Sequence, residues 1–206
     1  MPRIRPAVVL ASTSPRRIEL LGAAGLRVTA LAPDCNEDQL AGESPRKMVA
    51  RLALTKAHSV ALRLQQGPRE RVLVIAADTT VVSPSGRRVL GKPRSRAEAA
   101  SMLKMICGKT HEVLTGFSVI ELQGARRRAV TVVVSTQVTM KRLSPRQIAA
   151  YVATGEPMDK AGSYAAQGLG MNFITSIRGS YTNVVGLPMA ELLDTLERKF
   201  GLSVLA

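Results

Sequence analysis

Apolar runs and amphipathic stretches alternate along the chain, and each predicts one kind of element. Residues 7–10 and 71–77 are continuous apolar runs, the second rich in β-branched side chains, as is typical of buried strands. Residues 45–64 place their apolar positions at helical spacing, which predicts an amphipathic helix. Strand and helix patterns that alternate in this way indicate an α/β fold.

Serine–proline pairs and capping boxes mark where the predicted helices begin. Ser14-Pro15 puts a hydroxyl at the N-cap and a proline at the first helical position, where no N–H is needed. Ser95–Glu98 and Ser144–Gln147 are capping boxes. We predict helices over 15–24, 45–64, 96–107, 145–155 and 188–200, strands over 7–10, 26–33, 71–77, 111–122, 129–140 and 172–178, and a hairpin over 80–90. Hairpins that interrupt the alternation predict a mixed, twisted sheet flanked by helices, with Arg126–Arg128 at a loop tip.

The composition is that of a globular chain with a strongly basic charge. The 206 residues are 46% hydrophobic, and they can bury a core in one domain or in two closely joined lobes. The formal net charge of +14 attracts polyanions, whether nucleic acid, an anionic membrane or small phosphorylated molecules. Aromatic residues make up only 3% and tryptophan is absent, which disfavours a stacking platform for single-stranded nucleic acid. The composition therefore disfavours nucleic acid as a partner.

The small numbers of cysteines and histidines disfavour disulfide-linked and zinc-binding classes of protein. Cys35 and Cys107 have no metal-ligand spacing and do not indicate a disulfide framework, so we expect a reducing cytoplasm. Two histidines in the whole chain disfavour a histidine-based zinc site. No apolar run is long enough to span a bilayer, so a membrane partner is not expected.

The first strand–turn–helix has the features of an anion site. Ser12 and Ser14 offer hydroxyls, and the turn and helix start offer backbone N–H groups. Arg16 and Arg17 oppose the helix macrodipole at this end, which indicates that an anion such as phosphate binds here. The alternative is a capped helix start that simply faces solvent.

Asp78 follows the apolar run 71–77, at the strand end where ligands of open α/β sheets bind. An aspartate there is a candidate base or metal ligand, and the alternative is a residue that only turns the chain. The hairpin over 80–90 is expected to return Lys92 beside Asp78. Glu37, in an acidic segment, and Lys56, on the helix over 45–64, add a carboxylate and a cation.

The segment 155–170 is rich in glycine and polar residues, and it is too long for a simple connection. Loops of this length in compact domains are usually binding loops, and Lys160 and Gln167 are the candidate ligand residues. Cations suit a polyphosphate, and the carboxylates of Glu37 and Asp78 suit a divalent metal that bridges phosphate oxygens. The residues alone therefore indicate a phosphate-ester or phosphoanhydride hydrolase, or a nucleotide-binding protein.

Six blocks, in order along nearly the whole chain, resemble the Maf family of nucleoside triphosphate pyrophosphatases. They are LASTSPRRIELL (10–21), ADTTV (77–81), GKP (91–93), HEVLTG (111–116), DKAGSY (159–164) and GSYTNVVGLP (179–188). The resemblance implies one domain over 1–206 with a fold related to inosine-triphosphate pyrophosphatases and a cleft between two lobes. It also implies a cytoplasmic enzyme, often a homodimer, that hydrolyses a nucleoside triphosphate between the α- and β-phosphates with Mg²⁺ or Mn²⁺.

The resemblance also implies roles for individual residues. Asp78 matches the general base, and Glu37 matches an acidic residue that binds metal or substrate. The matches on the phosphate side are Ser12, Arg17, Lys56 and Lys92.

Three positions indicate a branch of the family. Arg16, Thr79 and Gln167 fit the branch that acts on dTTP and UTP, since a Gln amide can pair with a pyrimidine edge through both donor and acceptor. The prediction is a housecleaning enzyme for pyrimidine triphosphates. The alternatives are a pyrophosphatase for methylated GTP and a nucleotide-binding regulator of septum formation.

Overall fold

The computed structural model describes residues 6–64, 71–124 and 126–205. Their elements, in chain order, are β1 (Ala7–Leu10), α1 (Pro15–Ala23), β2 (Thr29–Ala30), α2 (Pro45–Leu64), β3 (Val72–Val82), β4 (Val89–Leu90), α3 (Arg96–Ile106), β5 (Thr110–Gln123), β6 (Arg126–Met140), α4 (Pro145–Ala153), β7 (Ile174–Arg178), α5 (Tyr181–Val185) and α6 (Met189–Phe200). Three short 3₁₀ helices lie between α4 and β7: Glu156–Asp159, Ala161–Ser163 and Gly168–Phe173.

The seven strands form one mixed sheet in the order β2-β1-β3-β5-β6-β7, with β4 paired to β3. Strand β1 runs parallel to β2 and β3, whereas β4 is antiparallel to β3 and β7 is antiparallel to β6. The predicted mixed sheet is therefore confirmed, as is the hairpin, in which Val81 pairs with Leu90.

The central strands read as continuous apolar runs because both of their faces are covered. Leu73 and Ile75 of β3 face a core that also contains side chains of α1 and α6. Val74 and Ala76 face the opposite way, into a core that contains side chains of α2. Successive side chains of a strand point to opposite faces, so helices on both sides of the sheet require every position to be apolar.

Contacts divide the chain into two compact units. Unit 1 comprises 1–78, 115–134 and 186–206, and unit 2 comprises 79–114 and 135–185. Strands β3, β5 and β6 contribute residues to both. Unit 1 contains the two cores beside β1 and β3, and unit 2 has a core of its own built from α3, α4 and the β3–β4 hairpin.

Three sequence expectations need correction. Strand β3 continues to Val82, so Asp78 lies within the strand and not beyond its end, because the β-branched residues that follow extend the pairing to β4. The strand expected over 26–33 is only Thr29–Ala30. Arg126–Arg128 belong to β6, where Arg128 lies over the Phe200 ring and donates to the Lys199 carbonyl.

Gly116 of β5 is expected to be intolerant of any side chain. A Cβ built there would lie 2.6 Å from the backbone carbon of Val49 and 2.9 Å from the amide nitrogen of Ala50, so α2 or β5 would have to shift. We expect Gly116→Ala to lower the free energy of unfolding by about 2 kcal/mol or more, measured by urea denaturation. Gly22→Ala is the control, since no atom of the described residues lies within 4 Å of a Cβ built there and alanine favours the α1 helix. Equal urea midpoints for the two variants would contradict the close approach of β5 to α2.

Candidate functional site

The centre of the site in unit 1 is a buried lysine held between two carboxylates. Lys56 of α2 donates from Nζ to Glu37 Oε2 at 2.6 Å and to Asp78 Oδ1 at 2.8 Å. The Lys56 and Asp78 side chains are 8% and 12% exposed, whereas Glu37, in the loop between β2 and α2, is 56% exposed. The structure therefore brings together three of the predicted site residues.

The charges of this Lys56 cluster do not cancel. A lysine ammonium removed from water requires partners, and here it has two, one on the neighbouring strand β3 and one at the surface. Two carboxylates and one ammonium sum to a single negative charge. Arg17 supplies a further positive charge that acts on both carboxylates.

The turn between β1 and α1 is organised by Ser12 and not by its N-cap residue. Ser12 Oγ accepts from the Ser14 amide at 3.2 Å and from Arg17 at 3.3 Å. Ser14 occupies the predicted N-cap position, but its side chain makes no capping hydrogen bond. Arg17 Nε also donates to the Gly186 carbonyl at 2.9 Å, which ties the first turn of α1 to the segment that precedes α6.

Arg17 interacts electrostatically with the Lys56 cluster. Burial lowers the pKa of Arg17, while the negative charges of Asp78 and Glu37 act in the opposite direction and the charge of Arg16 adds to the lowering. Arginine remains protonated at neutral pH in spite of such a shift. Unit 1 therefore places the arginine turn and the carboxylates in a single electrostatic environment.

The other predicted site residues belong to unit 2. Thr79 is half-buried directly after Asp78, and Lys92 and Gln167 are exposed. The loop that carries Lys160 contacts the segment that carries Lys92, because the Gly162 amide donates to the Gly91 carbonyl at 3.1 Å. Lys160 itself is ion-paired with Asp159. Ligand-binding roles for these four residues stay predictions.

Two carboxylates of this site are the candidate ligands of the predicted divalent metal. Within residues 6–64, 71–124 and 126–205, no group of three His, Cys, Asp or Glu side chains is arranged to hold a metal ion. Mg²⁺ in phosphate-processing sites is usually held by one or two carboxylates and completes its shell with water and substrate oxygens. Glu37 and Asp78 fit that pattern, because both offer hard carboxylate oxygens and both are ion-paired with Lys56.

Sequence reasoning missed two participants. The Gly186 carbonyl that orients Arg17 comes from 169 residues further along the chain, and only the block 179–188 of the family resemblance pointed to that segment. Glu156 lies at the start of the predicted binding loop, where its carboxylate accepts hydrogen bonds from the amides of Leu169 and Gly170. No spacing rule could have revealed either contact.

His111 and Tyr164 form a buried pair in unit 2. His111 Nε2 lies 2.8 Å from the Tyr164 hydroxyl, and both residues are almost fully buried. Burial lowers the pKa of His111 to about 4. Its Nδ1 is buried and has no hydrogen-bond partner among the described residues, so a second N–H would find no acceptor there.

The pH dependence of stability follows from this pair. The unfolded chain binds a proton at His111 from about pH 6.5 downwards, whereas the folded chain does so only near pH 4, so acid favours unfolding within that window. Between pH 7 and pH 4.5 we expect the wild type to lose about 2 kcal/mol more than His111→Gln, which hydrogen-bonds without titrating. Urea denaturation of both proteins at the two pH values measures this difference, because all other titrating groups contribute equally to the two losses. Equal losses of unfolding free energy in the two proteins would contradict this role of His111.

The fold and site define an α/β protein with a lysine–carboxylate centre on its central strand. Comparison with known proteins identifies the family: the chain belongs to the Maf family, whose model, described as Maf-like protein, matches residues 7–199.

Two curated relatives illustrate the similarity. A dTTP/UTP pyrophosphatase of Desulforamulus reducens is 48% identical over 98% of this chain and 100% of its own. A dTTP/UTP pyrophosphatase of Geotalea uraniireducens is 44% identical over 96% of this chain and 97% of its own.

Among solved structures, the Ham1 protein of Staphylococcus aureus is similar with a TM-score of 0.41 and 16% identity, covering 82% of this chain and 79% of that one. A nucleoside-triphosphatase described as a dITP/XTP pyrophosphatase, from Mycobacterium abscessus, has a TM-score of 0.40 and 13% identity, with 94% of each chain covered. In the described part of this chain, every helix is too short or too polar to cross a membrane.

Proposed function

We propose that this protein is a nucleoside triphosphate pyrophosphatase that converts dTTP and UTP to the monophosphate and pyrophosphate. The observation that carries the proposal is the buried carboxylate of Asp78, held by Lys56 in the electrostatic environment of Arg17. A water activated by a carboxylate, beside cations that stabilise phosphate oxygens, is the arrangement that phosphoanhydride hydrolysis requires. The names of the relatives at 44–48% identity support the choice of substrate.

Asp78 is the general base of this mechanism. Lys56 holds Oδ1 of the carboxylate, and Oδ2 takes the proton from the attacking water. The water oxygen bonds to the α-phosphorus, and the bond from that phosphorus to the oxygen bridging towards the β-phosphorus breaks. Pyrophosphate leaves with the electron pair on the former bridging oxygen.

Hydroxyls and cations bind the triphosphate in this proposal. In unit 1, Ser12 and Ser14 contribute polar donors at the start of α1, and Arg16, Arg17 and Lys56 contribute positive charge. In unit 2, Lys92 and Lys160 are the candidate phosphate-binding cations. Positive charge next to the β- and γ-phosphates lowers the barrier because pyrophosphate gains negative charge as it leaves.

A divalent cation completes the site in this proposal. Glu37 and Asp78 would hold Mg²⁺ or Mn²⁺, and the ion would neutralise charge on the phosphate oxygens. Arg16, Thr79 and Gln167 recognise the base, and the amide of Gln167 pairs with the pyrimidine edge through one donor and one acceptor.

A substrate panel tests the proposal. The purified protein is incubated with dTTP, UTP, CTP, dGTP and 7-methyl-GTP, each with Mg²⁺, Mn²⁺ or EDTA, in water enriched in ¹⁸O. We expect dTTP and UTP to be the preferred substrates, pyrophosphate to be released, the label to enter the monophosphate and EDTA to stop the reaction. Release of orthophosphate, or label in the pyrophosphate, would contradict the bond that we propose is cleaved. A preference for 7-methyl-GTP would favour the alternative branch.

The cellular part of the proposal is a cytoplasmic homodimer with a housecleaning role. Light scattering coupled to gel filtration measures the oligomeric state directly. A deletion phenotype that is rescued by wild type but not by Asp78→Asn would support housecleaning, because that role requires turnover. Rescue by Asp78→Asn would favour the regulatory alternative.

A further inference from the structure

One carboxylate in unit 2 closes the loop between α4 and β7. Glu156 Oε2 accepts from the Leu169 amide at 2.9 Å, and Oε1 accepts from the Gly170 amide at 2.9 Å. These two bonds join residues 13 and 14 positions apart. Together they fix the third 3₁₀ helix against the first.

Tyr151 of α4 attaches this carboxylate to the core of unit 2. Its hydroxyl donates to Glu156 Oε1 at 2.8 Å and accepts from the Ala165 amide at 3.3 Å. The ring is buried and packs edge-on against Phe173. Burial and the bond to Glu156 raise the pKa of Tyr151, so the hydroxyl keeps its proton and remains a donor.

Two glycines leave space for the Glu156 carboxylate and the Tyr151 hydroxyl. Gly168 has φ of +68°, and a Cβ there would lie 2.6 Å from Glu156 Oε2. A Cβ at Gly170 would lie 2.7 Å from the Tyr151 hydroxyl. Burial raises the pKa of Glu156, but the amide and hydroxyl donors outweigh it and hold the pKa below its ordinary value, so the group is an acceptor at neutral pH.

The hydrogen-bonded group of Glu156 and Tyr151 lies next to Gln167, the residue that we assign to recognition of the nucleobase. Gln167 directly precedes Gly168, the first residue of the 3₁₀ helix that Glu156 holds. Gln167 is exposed, and the backbone two and three residues after it is held by the Glu156 carboxylate. We propose that Glu156 and Tyr151 are positioning residues that aim Gln167 and thereby set the discrimination between pyrimidine and purine triphosphates, an inference that rests on the proposed function.

The kinetic test compares substrates in one variant. Glu156→Gln puts an amide N–H₂ group where an oxygen now accepts a loop N–H, so one loop contact is lost. We expect the ratio of kcat/KM for dTTP to that for dGTP to fall at least about fivefold, through a higher KM for dTTP, while kcat changes less than about threefold. Tyr151→Phe removes the supporting hydroxyl and should lower the ratio in the same direction. It also covers the case in which Glu156→Gln folds poorly.

A matched control separates aiming from general loss of structure. Glu98 is another unit 2 glutamate that accepts a backbone N–H, from Arg94, but it lies at the start of α3. Glu98→Gln should leave the dTTP-to-dGTP ratio unchanged. A variant that is only partly folded lowers kcat for both substrates equally and leaves both KM and the ratio as in the wild type.

A double-variant comparison tests whether Glu156 acts through Gln167. Gln167→Ala should itself lower the dTTP-to-dGTP ratio, because it removes the proposed contact with the base. If Glu156 aims that side chain, adding Glu156→Gln to Gln167→Ala lowers the ratio no further. Losses that multiply in the double variant would overturn the proposed route.

Hydrogen exchange supplies a readout that does not depend on catalysis. The Leu169 and Gly170 amides should exchange at least about tenfold faster in Glu156→Gln than in the wild type, while amides of α6 keep their rates. Unchanged exchange, or wild-type hydrolysis of dTTP with an unchanged ratio in both positioning variants, would overturn this inference alone. A wild-type protein without pyrophosphatase activity would overturn the proposed function together with it.

Discussion

Asp78→Asn is expected to lower kcat for dTTP at least about 1,000-fold, the largest effect of any single change in the site. Asparagine has almost the same shape and still offers Lys56 an oxygen, but its amide cannot take a proton from water. Nucleotide binding should persist, because Arg17 and Lys56 keep their charges. Initial rates give kcat, and calorimetric titration with dTTP under the same conditions gives the affinity.

The control for this variant is Asp194→Asn. Asp194 lies on α6, where it pairs with Arg198 one helical turn away, and both side chains are more than half exposed. We expect wild-type kcat from it, since exposed pairs of this kind contribute little to stability. A kcat for Asp78→Asn within about tenfold of the wild type would remove Asp78 as the general base.

Lys56→Met is expected to damage both stability and activity. It removes the ammonium that pairs directly with the buried Asp78 carboxylate, and removing one member of a buried pair costs about 3 kcal/mol. The carboxylate also loses the group that orients it, so we expect kcat to fall at least about 100-fold. Urea denaturation measures the first effect, and dTTP hydrolysis well below the denaturation midpoint measures the second.

Glu37→Gln provides the comparison, because Glu37 is the exposed partner of the same lysine. Lys56 keeps its buried bond to Asp78 in that variant, so the loss of stability should stay below about 1 kcal/mol. Activity should fall if Glu37 holds the metal, and raising the Mg²⁺ concentration should recover part of it. Equal losses of stability in Glu37→Gln and Lys56→Met would mean that the buried bond to Asp78 is not the one that stabilises the fold.

Local pattern was sufficient for the elements whose signals are local. The start of α1 at Ser14-Pro15, the capping box at Ser144–Gln147 and α2 over Pro45–Leu64 were all predicted from neighbouring residues. Each depends on hydrogen bonds or side-chain spacing within a few positions, which the order of residues specifies. The end of β3 was missed because its last residues pair with β4, and pairing depends on a second strand.

The sequence by itself determined the residue types of the site, the alternation of strand and helix, and the family to which the blocks belong. Tertiary structure alone decided that Lys56 binds carboxylates 19 and 22 positions away, and that Gly186 orients Arg17. It also decided that Glu156, and not a residue of a recognised motif, closes the loop beside Gln167. The reason is physical: caps and amphipathic faces are short-range properties of a chain, whereas the partner of a buried charge is set by which strands and helices pack together.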